Sequence, residues 1–135
     1  MKATLKAGLR RLETLTVDPD RCVQFLGEQA QVYSTPDMVS DVEYACLRLI
    51  DEHLEDGESS VGVRVQLDHL APTPPGAIVE VAVCIERIEG AKIFCSAELR
   101  DRIHLIGRGQ HVRQVINCQR HARRLADKQR KLQAI

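Results

Sequence analysis

Residues 35–69 read TPDMVSDVEYACLRLIDEHLEDGESSVGVRVQLDH, and within this stretch the apolar spacing changes its period. Up to Leu54, the positions Val39, Val42, Cys46, Leu49 and Ile50 recur at the three- and four-residue steps of a helix. From Val61 the step becomes two. Val61, Val63, Val65, Leu67 and His69 share one face, with Gly62, Arg64, Gln66 and Asp68 on the other. The first half predicts an amphipathic helix over 35–54 and the second a half-buried strand over 61–69. Ser34-Thr35-Pro36-Asp37 is a helix start, with Thr35 expected as N-cap, Pro36 as the first helical residue and Asp37 at the positive end of the dipole. The helix is expected to stop before Gly57.

On the N-terminal side, residues 1–13 suit a short helix or a loose arm. TLTV at 14–17 suits a short strand closed by Asp18-Pro19-Asp20, and 21–33 fit no single element. On the C-terminal side, APTPPG at 71–76 must leave the sheet, because its three prolines cannot all sit inside a paired strand. A strand over 77–88, a hairpin turn at Gly90 and a partner strand over 91–101 follow, with Ile93, Cys95, Ala97 and Leu99 on one face. A further strand over 103–117 is interrupted by Gly107 and Gly109, where a bulge is expected. Residues 119–133 close the chain as a basic helix. One long helix with an antiparallel sheet is an α+β layer arrangement, and 1–135 reads as one domain. A single helix covers a broad sheet poorly, so a homodimer is expected, with edge-to-edge joining as one way to form it.

Composition narrows the function. Lys plus Arg equals Asp plus Glu at 19 each, which argues against a general nucleic-acid or membrane-surface binder. Aromatic residues make up 3% of the chain, leaving almost no rings on which bases could stack. The charge is uneven: from Gln119 onward there are six basic residues and one acid, Asp127. That segment reads as a solvated face or as a landing site for a phosphorylated ligand. Five cysteines form no C-x-x-C pair. Cys46, Cys84 and Cys95 sit among apolar residues like small hydrophobes in a reducing compartment, and a structural zinc site is not expected. Met1–Arg11 lacks the apolar run of a signal peptide and no stretch approaches a membrane span, so the expected location is the cytoplasm.

Three polar residues stand out. Glu43 lies within the helix's apolar stripe, four residues after Val39 and three before Cys46. It either reaches water at the margin of the stripe or is a desolvated carboxylate suited to general-base work. His69 ends the inward-facing series of the strand, either as a satisfied core histidine or as a group facing the same layer as Glu43. Thr35, at the helix start, either serves only as a cap or sits where free N–H groups can receive a carbonyl oxygen. Eight residues separate Thr35 from Glu43, about 12 Å along a straight helix, so the two cannot bond directly. A bent helix start, a bridging water and substrate, or a second subunit would have to join them.

The same residues resemble a known family. T-P-D-M-V-S-D-V-E-Y-A-C from Thr35, E-D-G-E-S-S-V-G from Glu55 and D-H-L-A-P-T-P-P-G from Asp68 look like the fluoroacetyl-CoA thioesterase branch of hotdog thioesterases. Ile88-Glu89-Gly90 and I-G-R-G-Q-H-V-R from Ile106 extend the likeness, which spans about residues 30–118. The resemblance implies a hotdog fold, a dimer with sites at the subunit interface, and hydrolysis of a short acyl-CoA without metal or other cofactor. Thr35, Glu43 and His69 match the family's catalytic residues. Gly62 matches a glycine whose backbone lies close to the acyl group, and Arg113 an arginine of the last strand near the site. One departure is visible. The family's fluoroacetate-specific member shapes its acyl pocket with phenylalanines before the threonine, whereas Phe25-Leu26-Gly27-Glu28-Gln29-Ala30 offers one. A different class of function, a non-catalytic acyl-CoA or acyl-carrier binding module, uses the same fold. A hotdog hydratase would need a histidine–aspartate arrangement on the helix that this sequence lacks.

Overall fold

The computed structural model describes residues 1–135. Its elements are β1 (Arg10–Thr16), β2 (Cys22–Val23), β3 (Val32–Tyr33), α1 (Thr35–Asp51), β4 (Glu58–His69), β5 (Ile78–Glu89), β6 (Lys92–Arg100), β7 (Leu105–Asn117) and α2 (Cys118–Gln133). Five strands make one antiparallel sheet in the order β1-β5-β6-β7-β4, while β2 and β3 pair apart as a small ribbon. The α+β arrangement expected from the sequence is present. β1 and β4 both depart from simple hairpin order: β1 pairs with β5, and β4 precedes β5 in the chain but pairs with β7, because the proline-rich segment after His69 carries the chain away. The first strand starts at Arg10, inside the segment read as a helix or arm.

Helix α1 packs on the sheet through Met38, Val42, Ala45, Cys46, Leu49 and Ile50. Facing it are Val79, Val81, Val83 and Ile85 of β5 and Ile93, Cys95, Ala97 and Leu99 of β6, all buried. The helix ends at Asp51, earlier than the apolar pattern suggested, and Gly57 then turns the chain at a φ of +83°. Arg48 of α1 grips Glu13 of β1 with two bonds of 2.6 and 2.7 Å, holding the helix over the far edge of the sheet.

One irregularity falls near where the sequence places it, and another corrects the reading of β4. The bulge expected in β7 lies just ahead of Gly107, where Leu99 and Arg100 of β6 face Gly107 and Leu105 and leave Ile106 as the extra residue, while Gly107 and Gly109 pair in register with His69 and Leu67 of β4. They are glycines because of close approach. A Cβ on Gly107 would lie 2.6 Å from Met38 Sδ, and one on Gly109 would run into Gln66 O and lie 2.8 Å from Leu67 Cα. A further bulge, not expected, lies in β4 between Gly62 and Arg64. This reverses the face reading for the first half of that strand. Gly62 pairs with Arg113 and faces the helix, Val61 does not, and Val63 is 52% exposed within the bulge. Beyond it, Val65, Leu67 and His69 face the helix side as expected.

Gly109→Ala is expected to lower stability by about 1–3 kcal/mol, because the new methyl meets backbone that cannot swing aside. Urea unfolding reads this directly; an unchanged midpoint would show that β4 and β7 are less tightly apposed than described.

Candidate functional site

The first cluster forms at the start of α1. Ser34, not Thr35, is the N-cap: its Oγ accepts a 3.0 Å bond from the Asp37 backbone N–H. Thr35 is therefore the first helical residue and Pro36 the second. With the capping role taken by its neighbour, the Thr35 hydroxyl is free to share a 2.8 Å hydrogen bond with His69 Nδ1. His69 sits at the end of β4, with the buried Tyr33 ring edge-on at 6.3 Å between centroids. Tyr33 is itself fixed by donating 2.5 Å to Asp41 of α1, a carboxylate that also takes two bonds from Arg21. That brace ties the β2–β3 ribbon to the helix. His69 Nε2 is buried and has no hydrogen-bond partner. Burial holds the imidazole below its ordinary value of 6.5, partly offset by the Ala71 backbone. A shallow cavity of about 340 Å³ opens beside Thr35 and His69, and Phe25 and Leu26 line it. The lone lid phenylalanine thus lies at the mouth of this cavity, 83% exposed in the single chain.

The second cluster lies further along the same helix and strand. Glu43 is half-buried at the margin of the apolar stripe and makes no hydrogen bond. A Cβ placed on Gly62 would stand 3.8 Å from Glu43 Oε2, 3.6 Å from Arg113 Nη1 and 3.2 Å from His111 Cε1. Gly62 thus leaves an opening where an acid, a guanidinium and an imidazole converge. Arg113 is 5% exposed. It donates from Nε to Ser60 Oγ at 2.8 Å and from Nη2 to Ser60 O at 2.7 Å. His111 Nδ1 lies 2.8 Å from Arg64 O, a carbonyl that can only accept, so Nδ1 carries the proton. Nε2 then accepts from Arg113 Nη1 at 3.1 Å. Burial, with Arg113 adding to it, keeps this imidazole below the usual histidine range and hence neutral at pH 7. Burial also lowers the Arg113 value, while the nearby Glu43 charge works the other way.

Thr35 and His69 therefore bond directly, while Glu43 and Arg113 both border the space beside Gly62 without a hydrogen bond or ion pair between them, and no hydrogen bond within one chain joins the two groups. The cavity beside His69 is not lined by Glu43. His111 and Ser60 were not singled out in the sequence. The H-x-R spacing of His111 and Arg113, two residues on one face of a strand, was the available signal. No group of three or more His, Cys, Asp or Glu side chains is placed to hold a metal ion. A wider concavity, about 790 Å³, lies on the opposite face of the sheet, where Arg10, Gln66, Glu98 and Arg108 line it.

A helix cradled by an antiparallel sheet, with these polar groups along one edge, defines a hotdog-fold thioester hydrolase, as comparison with known proteins bears out. A Thermus thermophilus thioesterase superfamily member superposes with a TM-score of 0.90 at 27% identity, covering 98% of this chain and 99% of that one. The fluoroacetyl-CoA thioesterase FlK superposes with a TM-score of 0.84 at 30% identity, over 92% and 97% of the two chains. Variants of FlK have been solved with fluoroacetate and CoA and with acetyl-CoA. The fluoroacetyl-CoA thioesterase of Streptantibioticus cattleyicolor is 32% identical over 127 residues, 89% of this chain and 91% of the relative. The family model for FlK, fluoroacetyl-CoA-specific thioesterase, matches residues 17–119. The chain belongs to this family.

Proposed function

We propose that the protein hydrolyses a short-chain acyl-CoA to the free acid and CoA, using Thr35, Glu43 and His69 at a site completed by a second copy of the chain. The observation that carries this reading is the 2.8 Å Thr35–His69 contact, on the same helix and strand that hold Glu43 beside Gly62. Glu43, a carboxylate without a hydrogen-bond partner, takes a proton from the attacking water. The new C–O bond forms as the C–S bond breaks. Thr35 donates to His69 Nδ1, which leaves the proton on Nε2, and that N–H orients and stabilises the departing thiolate. The Gly62 backbone borders the acyl group, and Arg113 balances the charge developing near Glu43. The chemistry proposed uses side chains and water alone, with CoA present only as part of the substrate.

β4 is an edge strand with exposed Val63 and Val65, which favours a partner strand there. A two-fold-related copy pairing antiparallel along β4 would run its His69 end toward the Gly62 end of this one. That arrangement brings the two separate clusters toward each other. No helix is long and apolar enough to cross a membrane. All five cysteines are free thiols, which suits the reducing cytoplasm.

With acetyl-CoA and a thiol-detecting dye, in the presence of a chelator, turnover is expected for the wild-type protein. Glu43→Gln and His69→Ala should each lose at least about a hundredfold in kcat. Wild-type rates in both variants would remove the assignment, and tight binding of the ester without hydrolysis would favour a binding module. Because His69 is held below its ordinary 6.5, its neutral form persists through pH 7 and is lost only as pH falls through the depressed value. The acid limb of kcat/KM should therefore lie below pH 6.5, and a limb centred above that would contradict the role given to His69. Val63→Lys should convert the dimer to monomers in sedimentation and abolish turnover together. An active monomer would show that one chain holds the whole site.

A further inference from the structure

Helix α2 contributes nothing to the core: none of its residues is buried. It nevertheless concentrates charge. Its six basic residues and one acid leave 13 basic and 18 acidic residues in the rest of the chain, so a helix of net +5 projects from a body of net −5. Arg130 pairs with Asp127, while Arg120, Arg123, Arg124, Lys128 and Lys131 make no ion pair. At 100° per residue, all six cations fall within an arc of about 160°. Several are three or four residues apart, such as Arg120 with Arg124 and Lys128 with Lys131, a spacing at which like charges destabilise a helix. A polyanion bound along that arc would relieve the repulsion. The helix is rooted beside the second cluster. It continues directly from β7, the Cys118 N–H donates 2.8 Å to Gly57 O, and its cap Asn117 lies four residues, roughly 13 Å, beyond Arg113 on the same strand.

We propose that the basic arc of α2 is the subsite for the phosphates of the CoA moiety, receiving the 3′-phosphate and diphosphate when the thioester lies toward Gly62. This rests on the acyl-CoA reading above and adds to it the element that selects CoA over a thioester lacking phosphate. The subsite consists of exposed cations, so binding through it is salt-dependent.

The test is calorimetric titration of the full chain and its R120Q/R123Q/R124Q variant with CoA and with pantetheine, which carries no phosphate. These side chains are exposed, and an unchanged melting temperature confirms that the variant is folded. The variant should bind CoA about tenfold more weakly, with a shallower salt dependence, and pantetheine as the wild type does. Equal CoA affinity in both proteins overturns the proposal, as does an equal loss for both ligands or no CoA binding by the wild type. Sedimentation of the wild type with phosphatidylglycerol vesicles, together with CoA binding indifferent to the substitutions, also overturns it and makes α2 a lipid-surface helix. Hydrolysis of acetyl-CoA by the wild type is scored separately. Its absence counts against the thioesterase reading, while the titrations alone decide the subsite.

Discussion

Positions 62 and 69 are an odd number of residues apart, and a regular strand sends such positions to opposite faces. In this protein both face the helix, because one extra residue, Val63, is accommodated by the bulge between Gly62 and Arg64. Everything distinctive about the site depends on that slip. Ahead of it, Ser60 and Gly62 lie opposite Val115 and Arg113; behind it, Val65, Leu67 and His69 lie opposite His111, Gly109 and Gly107. Without the bulge, either the glycine beside Glu43 or the histidine beside Thr35 would face away from α1. The bulge also raises the local twist of an edge strand, which bends β4 around the helix.

Strand β7 completes the arrangement by changing character along its length. Gly107 and Gly109 let β4 and Met38 approach the backbone, and two residues later the same face carries His111 and then Arg113. A buried guanidinium is costly unless its donors are satisfied. Ser60 and His111 take three of its N–H groups, and the Glu43 carboxylate supplies nearby negative charge. His111 can accept from Arg113 only while neutral, since protonation would set two cations against each other. The polar patch is thus held by bonds within β4 and β7, and Glu43 is left with its oxygens unengaged.

Much of this was legible in the residues. The change of period after Gly57 separates α1 from β4, and strict alternation from Ile93 to Leu99 gives the buried face of β6. The Gly90 turn falls where the sequence places it, at a φ of +60°. Three features were not legible, each for a physical reason. A bulge adds a residue without changing composition, so alternation counted through Val61 and Val63 carried the wrong parity. Pairing of β4 with β7 joins strands separated by 35 residues of chain, and nothing local encodes it. Ser34 and Thr35 are both good caps, and only the observed bond to the Asp37 N–H decides between them. The Arg113–His111–Ser60 set needed both that parity and that pairing, so only part of it could be anticipated.

The division of labour between Ser34 and Thr35 has a consequence for how such a chain can diverge. One hydroxyl secures the end of the helix and the next, a single position along, touches the histidine. Substitutions at position 35 can therefore alter reactivity while the helix stays anchored, so the usual trade-off between stability and activity is relaxed at this point. A lineage could explore new acyl preferences there, or lose catalysis altogether, and still inherit an intact scaffold.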